Sequence, residues 1–116
     1  MTLHADLAAG RWNTVSLTEQ LAHVGSEVER TIRAWETRRF DRYEHAQARA
    51  LELFDLTARD ARWRGPRRRE ILRVREEFCR LFCDDEPPPE SARGLRAYFL
   101  RFAVLARRSS TSGGGV

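Results

Sequence analysis

The sequence predicts an all-α, single-domain protein: a four-helix up-down-up-down bundle with a short N-terminal arm and a flexible C-terminal tail. Three observations carry that expectation. Apolar residues recur at spacings of three and four through four successive segments, the signature of helices with one buried face. The few prolines and glycines lie largely at the edges of those segments, and no stretch shows the period-two alternation of a strand of useful length. At 116 residues the chain has room for one hydrophobic core. The expected boundaries are an arm over 1–14, the bundle over 15–108 and a tail over 109–116.

Residues 1–14 lack a clean period, and Leu3, Leu7 and Trp12 are candidates to pack the arm against the bundle. Ser16-Leu17-Thr18-Glu19 then reads as a capping box, with the serine hydroxyl taking an early backbone N–H. Leu17, Leu21, Val24, Val28, Ile32 and Trp35 make one face of the first helix. Gly25 interrupts it at a cost in helix propensity, which suits a close approach by another helix. A turn over 36–39 leads to a second stripe, Phe40, Tyr43, Ala46 or Gln47, Ala50, Phe54, Thr57 and Ala61, widened by Leu51, Leu53 and Leu56.

Arg64-Gly65-Pro66 ends the second helix, and Pro66 suits the first turn of the third. Ile71, Val74, Phe78 and Leu81 or Phe82, with Leu72 beside them, form its apolar face. Asp84-Asp85-Glu86-Pro87-Pro88-Pro89 stops it, with Ser91 as the expected cap of the fourth helix. Leu95, Tyr98, Phe99, Phe102, Leu105 and Ala106 supply that helix's apolar face. After Arg108 the polar, glycine-rich end has no means of forming a core.

No apolar run approaches the length of a membrane span, and Met1 to Gly10 does not read as a secretion signal. The expected location is the cytoplasm, with no membrane partner. All 21 basic residues are arginine, which suits recognition of phosphate or carboxylate and equally follows from a GC-rich coding bias. The net charge of +4 is unevenly spread. Residues 59–75 hold 8 arginines against Asp60 and Glu70, whereas residues 76–92 hold 1 arginine and 6 acids. A turn with Arg62, Trp63, Arg64, Arg67, Arg68 and Arg69 at one end of a bundle is a candidate phosphate or nucleic-acid site. The alternative for Trp63 is that it anchors the loop.

Other chemistry is sparse. Glu19, His23 and Glu27 share a helix face, but the only other helix-borne histidine is His45, so a surface stripe is the reading and no metal is expected. Cys79 and Cys83 are four apart on a helix, poorly placed for a disulfide and lacking a second pair for zinc; they read as small core residues. Glu27, Arg30, Glu52, Asp55, Arg73 and Glu76 lie close to the apolar stripes, where they suit half-buried ion pairs between helices or a polar groove. No cofactor is expected.

Two resemblances bear on function. Gly25-Ser26-Glu27-Val28-Glu29-Arg30, Arg49-Ala50-Leu51-Glu52-Leu53-Phe54-Asp55-Leu56-Thr57, Ile71-Leu72-Arg73-Val74-Arg75-Glu76 and Tyr98-Phe99-x2-Phe102-Ala103-x2-Ala106-Arg107 resemble, in this order, strings of a group of short all-helical bacterial proteins described only as hypothetical. The resemblance implies one compact domain over about residues 12–108 and transfers no catalytic residue. Arg38-Arg39-Phe40-Asp41-Arg42-Tyr43-Glu44-His45 loosely resembles the Arg-x4–6-His motif of HEPN-domain ribonucleases. That family's Arg and His meet across a dimer interface and help cleave RNA, which implies Arg39 and His45 here, with Arg38 the alternate. Phe40 departs from the family's polar residue after the Arg, and the family's motif sits on a late helix.

The first functional expectation is therefore a non-enzymatic helical interaction module, acting on a protein partner or on a second copy of itself. The alternatives are a nucleic-acid-binding module using the 59–75 turn and, behind it, a HEPN-like ribonuclease.

Overall fold

The computed structural model describes residues 11–82 and 89–114, with side chains to Phe82 and from Glu90 to Arg108. Four α-helices and two 3-10 turns make up the fold, with no strand among the described residues. Helix α1 is Leu17–Glu36, α2 is Phe40–Arg59, α3 is Pro66–Leu81 and α4 is Pro89–Gly114. Arg11–Thr14 and Ala61–Trp63 are the 3-10 turns.

Ser16 caps α1, its Oγ accepting the Glu19 N–H at 3.2 Å. At the other end the Arg38 N–H bonds to the Trp35 carbonyl and the Arg39 N–H to the Ala34 carbonyl, the two bonds of a Schellman motif. The motif needs a left-handed residue, and here that residue is Arg38 at φ 58° rather than glycine. Pro66 opens α3 as expected, preceded by Gly65 at φ 77°.

Each helix packs on two neighbours, α1 on α2 and α4, and α3 on α2 and α4. The pairings run antiparallel. Trp35 meets Tyr43 and Glu27 meets Arg49 between α1 and α2, while Tyr43 meets Phe82 and Phe54 meets Phe78 along the α2–α3 side. Between α1 and α4, Arg96 reaches both Glu29 and Glu36 at 2.8 and 2.9 Å. Gly25 lets α4 come this close: a Cβ there would sit 2.7 Å from Phe99 Cβ. The fold is thus an all-α, single-domain, four-helix up-down-up-down bundle whose core includes Val24, Val28, Ile32, Phe54, Phe78 and Phe99. Trp12 of the arm is buried in that core, while Leu3 and Leu7 lie outside the described residues.

Several expectations are corrected. Helix α2 ends at Arg59 rather than Arg64, because Asp60 leaves the helical region and accepts the Arg62 N–H to start the 3-10 turn. Helix α4 starts at Pro89, so Ser91 lies inside the first turn and is not its cap; a proline needs no N–H acceptor there, and Glu90 favours the helix dipole. Helical backbone continues from Arg108 to Gly114 through the expected tail, since serine and threonine only mildly disfavour a helix. Phe40, Leu72 and Leu105, expected on apolar faces, are each more than 40% exposed. Cys79 is half-buried, and Cys83 and the acidic 84–86 segment lie outside the described residues.

Candidate functional site

The arginine-rich 59–75 corner is largely consumed by structure. Trp63 is 9% exposed, and its Nε1–H donates to Gln20 Oε1 at 2.6 Å, so the indole anchors the loop instead of presenting a face to a base. Gln20 is fully buried and donates in turn to the Trp12 carbonyl and to Asp60 Oδ2. Trp12 Nε1–H completes the lock on Thr57 Oγ1 at 3.0 Å. Arg62 folds back to clamp the buried Asp60 carboxylate at 2.7 Å and to donate to the Val15 carbonyl, tying the corner to the start of α1. Its hydrogen bonds hold the Asp60 carboxyl down at about 2 against the burial that pushes it up, with Gln20 assisting. Arg68 is half-buried over the Asp60 carbonyl. Of the six residues expected to bind phosphate there, Arg62, Arg64, Arg67 and Arg69 are exposed, with Arg62 engaged by Asp60 and Arg67 lying over the Trp63 ring.

A second arginine cluster forms where the sequence shows no run. Helices α1 and α2 leave between them a groove of about 770 Å³, lined in part by the buried Ala34 and Ala46. Arg30 and Arg33 line it from α1; Arg39, Arg42, His45 and Arg49 line it from the start of α2, against the acids Glu27 and Asp41. Arg42, His45 and Arg49 recur at helical spacing, so α2 itself presents them on one face. Arg39, Arg42 and His45 make no side-chain ion pair or hydrogen bond among the described residues and are exposed. The Arg39 and His45 of the ribonuclease-like motif therefore line one groove within a single chain. Arg38, on its strained backbone, does not line it.

Glu27 organises the floor. It is 5% exposed, and Arg30 and Arg49 both reach its Oε1, at 2.8 and 3.5 Å. Oε2 is equally buried and accepts no hydrogen bond. Glu27, Arg30 and Arg49 also border a second depression of about 500 Å³, toward the arm, lined further by Arg11, Thr14 and His23. The two depressions adjoin at this ion triad and make one basic track along α1, which at about 1.5 Å per residue is on the order of 30 Å long. His23 belongs to this track and packs on Trp12 at 5.8 Å between ring centres. Among the described residues no three His, Cys, Asp or Glu side chains come together as a metal site would require.

The half-buried ion pairs expected between helices occur for Glu27 with Arg49 and for Asp55 with Arg75, the latter at 3.0 Å. Arg73 and Glu76 pair within α3 instead, with Glu77 and Arg80. No helix among the described residues is long and apolar enough to cross a membrane. No protein-family model, curated protein or solved structure matches this chain.

Proposed function

We propose that the protein is a binding module for single-stranded nucleic acid, held by its phosphates along the α1–α2 track. The observation that carries this reading is that five arginines and His45 line one groove, with Arg39, Arg42 and His45 unpaired among the described residues while Arg30 and Arg49 hold Glu27 and Arg33 reaches Glu29. Guanidinium forks match phosphate oxygens in pairs, and several in a row suit a chain of anions better than one isolated anion. The groove is the gap between two neighbouring helices with alanines at its floor. The nucleic-acid alternative read from sequence puts binding at the 59–75 turn; the groove is proposed instead, where Arg39, Arg42 and His45 are unpaired among the described residues.

The test is the anisotropy of a labelled oligouridylate titrated at several salt concentrations. At roughly 0.7 per phosphate neutralised on a single strand, three to five contacts give a log–log slope of about −2 to −4. Absence of binding at low salt removes the reading. Equal binding of poly-glutamate reassigns the groove to an acidic protein partner.

Self-association has its own supporting observation. Leu100 is 58% exposed beside a second groove, of about 630 Å³, between α1 and α4, lined in part by Val28, Leu95, Phe99 and Ala103. Light scattering on a sizing column at high salt tests it. A dimer that Leu100→Glu converts to monomer supports the reading, and a monomer at high concentration removes it.

A further inference from the structure

Resting on the nucleic-acid reading above, we infer that the track selects RNA over DNA, with Glu27 Oε2 as the acceptor for a ribose 2′-hydroxyl. The starting point is an anomaly of charge. A carboxylate in the middle of an arginine track repels the phosphates that the track attracts, so its presence needs a reason. Orienting Arg30 and Arg49 supplies only half of one, since both guanidinium groups converge on Oε1. Oε2 is left without a donor, although Glu27 is more than nine-tenths buried and borders both depressions. Buried acceptors nearly always find a donor, and an ionised one without it is costly.

The backbone of a single strand offers few donors. Phosphate oxygens only accept, and deoxyribose carries no hydroxyl on the 2′ carbon. The 2′-hydroxyl of ribose is the one backbone group that donates in every nucleotide, and it is the group by which proteins tell RNA from DNA. A strand whose phosphates lie on Arg39 and Arg42 passes over the Glu27–Arg30–Arg49 triad that both depressions share, beneath which Oε2 is covered. Arg30, whose side chain is 63% exposed, has the freedom to turn outward and admit the sugar. The same carboxylate that costs affinity for a bare anion thereby gains a partner from RNA alone.

The experiment compares three labelled oligomers of the same length and base on the unaltered protein: oligouridylate, its 2′-fluoro analogue and oligodeoxyuridylate. Uracil has no exocyclic amine, so the sugar is the group that varies. Fluorine keeps the RNA-like sugar pucker and removes the donor. The expected result is binding of oligouridylate roughly tenfold or more tighter than of the other two, which bind alike. Glu27→Gln, which replaces one oxygen with an amide donor, is expected to remove that difference while the salt slope persists. If 2′-fluoro RNA binds as tightly as RNA, or DNA binds as tightly as both, the inference is overturned and the groove reading survives. If none binds at low salt, the groove reading itself has failed. The ligand series runs on the native chain, so misfolding of the variant leaves the test intact.

Discussion

The 59–75 corner and the α1–α2 groove are both rich in arginine, yet the fold uses them in different ways. In the corner, arginines adjacent in sequence hold a loop: Arg62 clamps a buried aspartate, Arg68 covers its carbonyl, and Trp63 is sunk into a network with Gln20, Trp12 and Thr57. In the groove, arginines scattered from position 30 to 49 meet across two helices, and those at the mouth have no protein partner among the described residues. A cation already bonded to a buried carboxylate has little to offer a phosphate, because the new contact must replace the old one. That sets aside Arg62 in the corner and Arg30 and Arg49 in the groove, and leaves Arg39 and Arg42 as the groove's available cations. Density of charge along the chain is therefore a poor guide to where charge is available; pairing decides it.

The largest expected effect sharpens the structural side of that contrast. Asp60→Ala removes the anion that Arg62, Gln20 and the turn all share, and we expect a loss of about 3 kcal/mol in urea unfolding. A loss under about 0.5 kcal/mol, the range of ordinary surface substitutions, would contradict the lock. The same group sets an acid limit. Its carboxyl titrates at about 2 in the folded protein, below its ordinary value of 3.8, so the folded state holds its proton less tightly than the unfolded chain does. The resulting stability, about 2 kcal/mol, is intact above roughly pH 4 and drains away as pH falls toward 2. Asp60→Asn should flatten that part of the pH–stability curve.

The smallest effect probes the turn beside the mouth of the groove. Arg38 holds a left-handed backbone that favours glycine, so Arg38→Gly should stabilise the protein by up to about 1 kcal/mol. Since Arg38 does not line the groove, RNA affinity should be nearly unchanged; a large loss would extend the site to the turn.

Much of the fold was legible in the sequence. The capping serine at 16, the proline at 66 and the apolar stripes through Val24, Val28 and Ile32 or Ile71, Val74 and Phe78 are local signals, and the bundle follows from them. The end of α2 was not, because it depends on an aspartate buried by a glutamine forty residues earlier. Gln20 sits at helical spacing from Leu17 and Val24, but a polar side chain gives no sign of the distant partners that bury it. The groove was half legible: Arg42, His45 and Arg49 share a helix face by spacing alone, but only the α1–α2 packing adds Arg30 and Arg33. Arginine density along the chain marks the corner, and the burial of Trp63 and Asp60 that engages Arg62 and Arg68 there is a tertiary fact, while Arg64, Arg67 and Arg69 stay exposed.

The most direct test sets the two regions against each other in one titration. Oligouridylate affinity and its salt slope would be measured for the native chain, for Arg39→Ala with Arg42→Ala, and for Arg64→Ala, Arg67→Ala and Arg69→Ala together. The account predicts that the groove pair costs at least about tenfold in affinity and lowers the slope by roughly 1.4, two single-strand phosphates' worth, while the corner triple leaves both within about threefold of native. The opposite pattern, a native groove pair and a crippled corner triple, would contradict it.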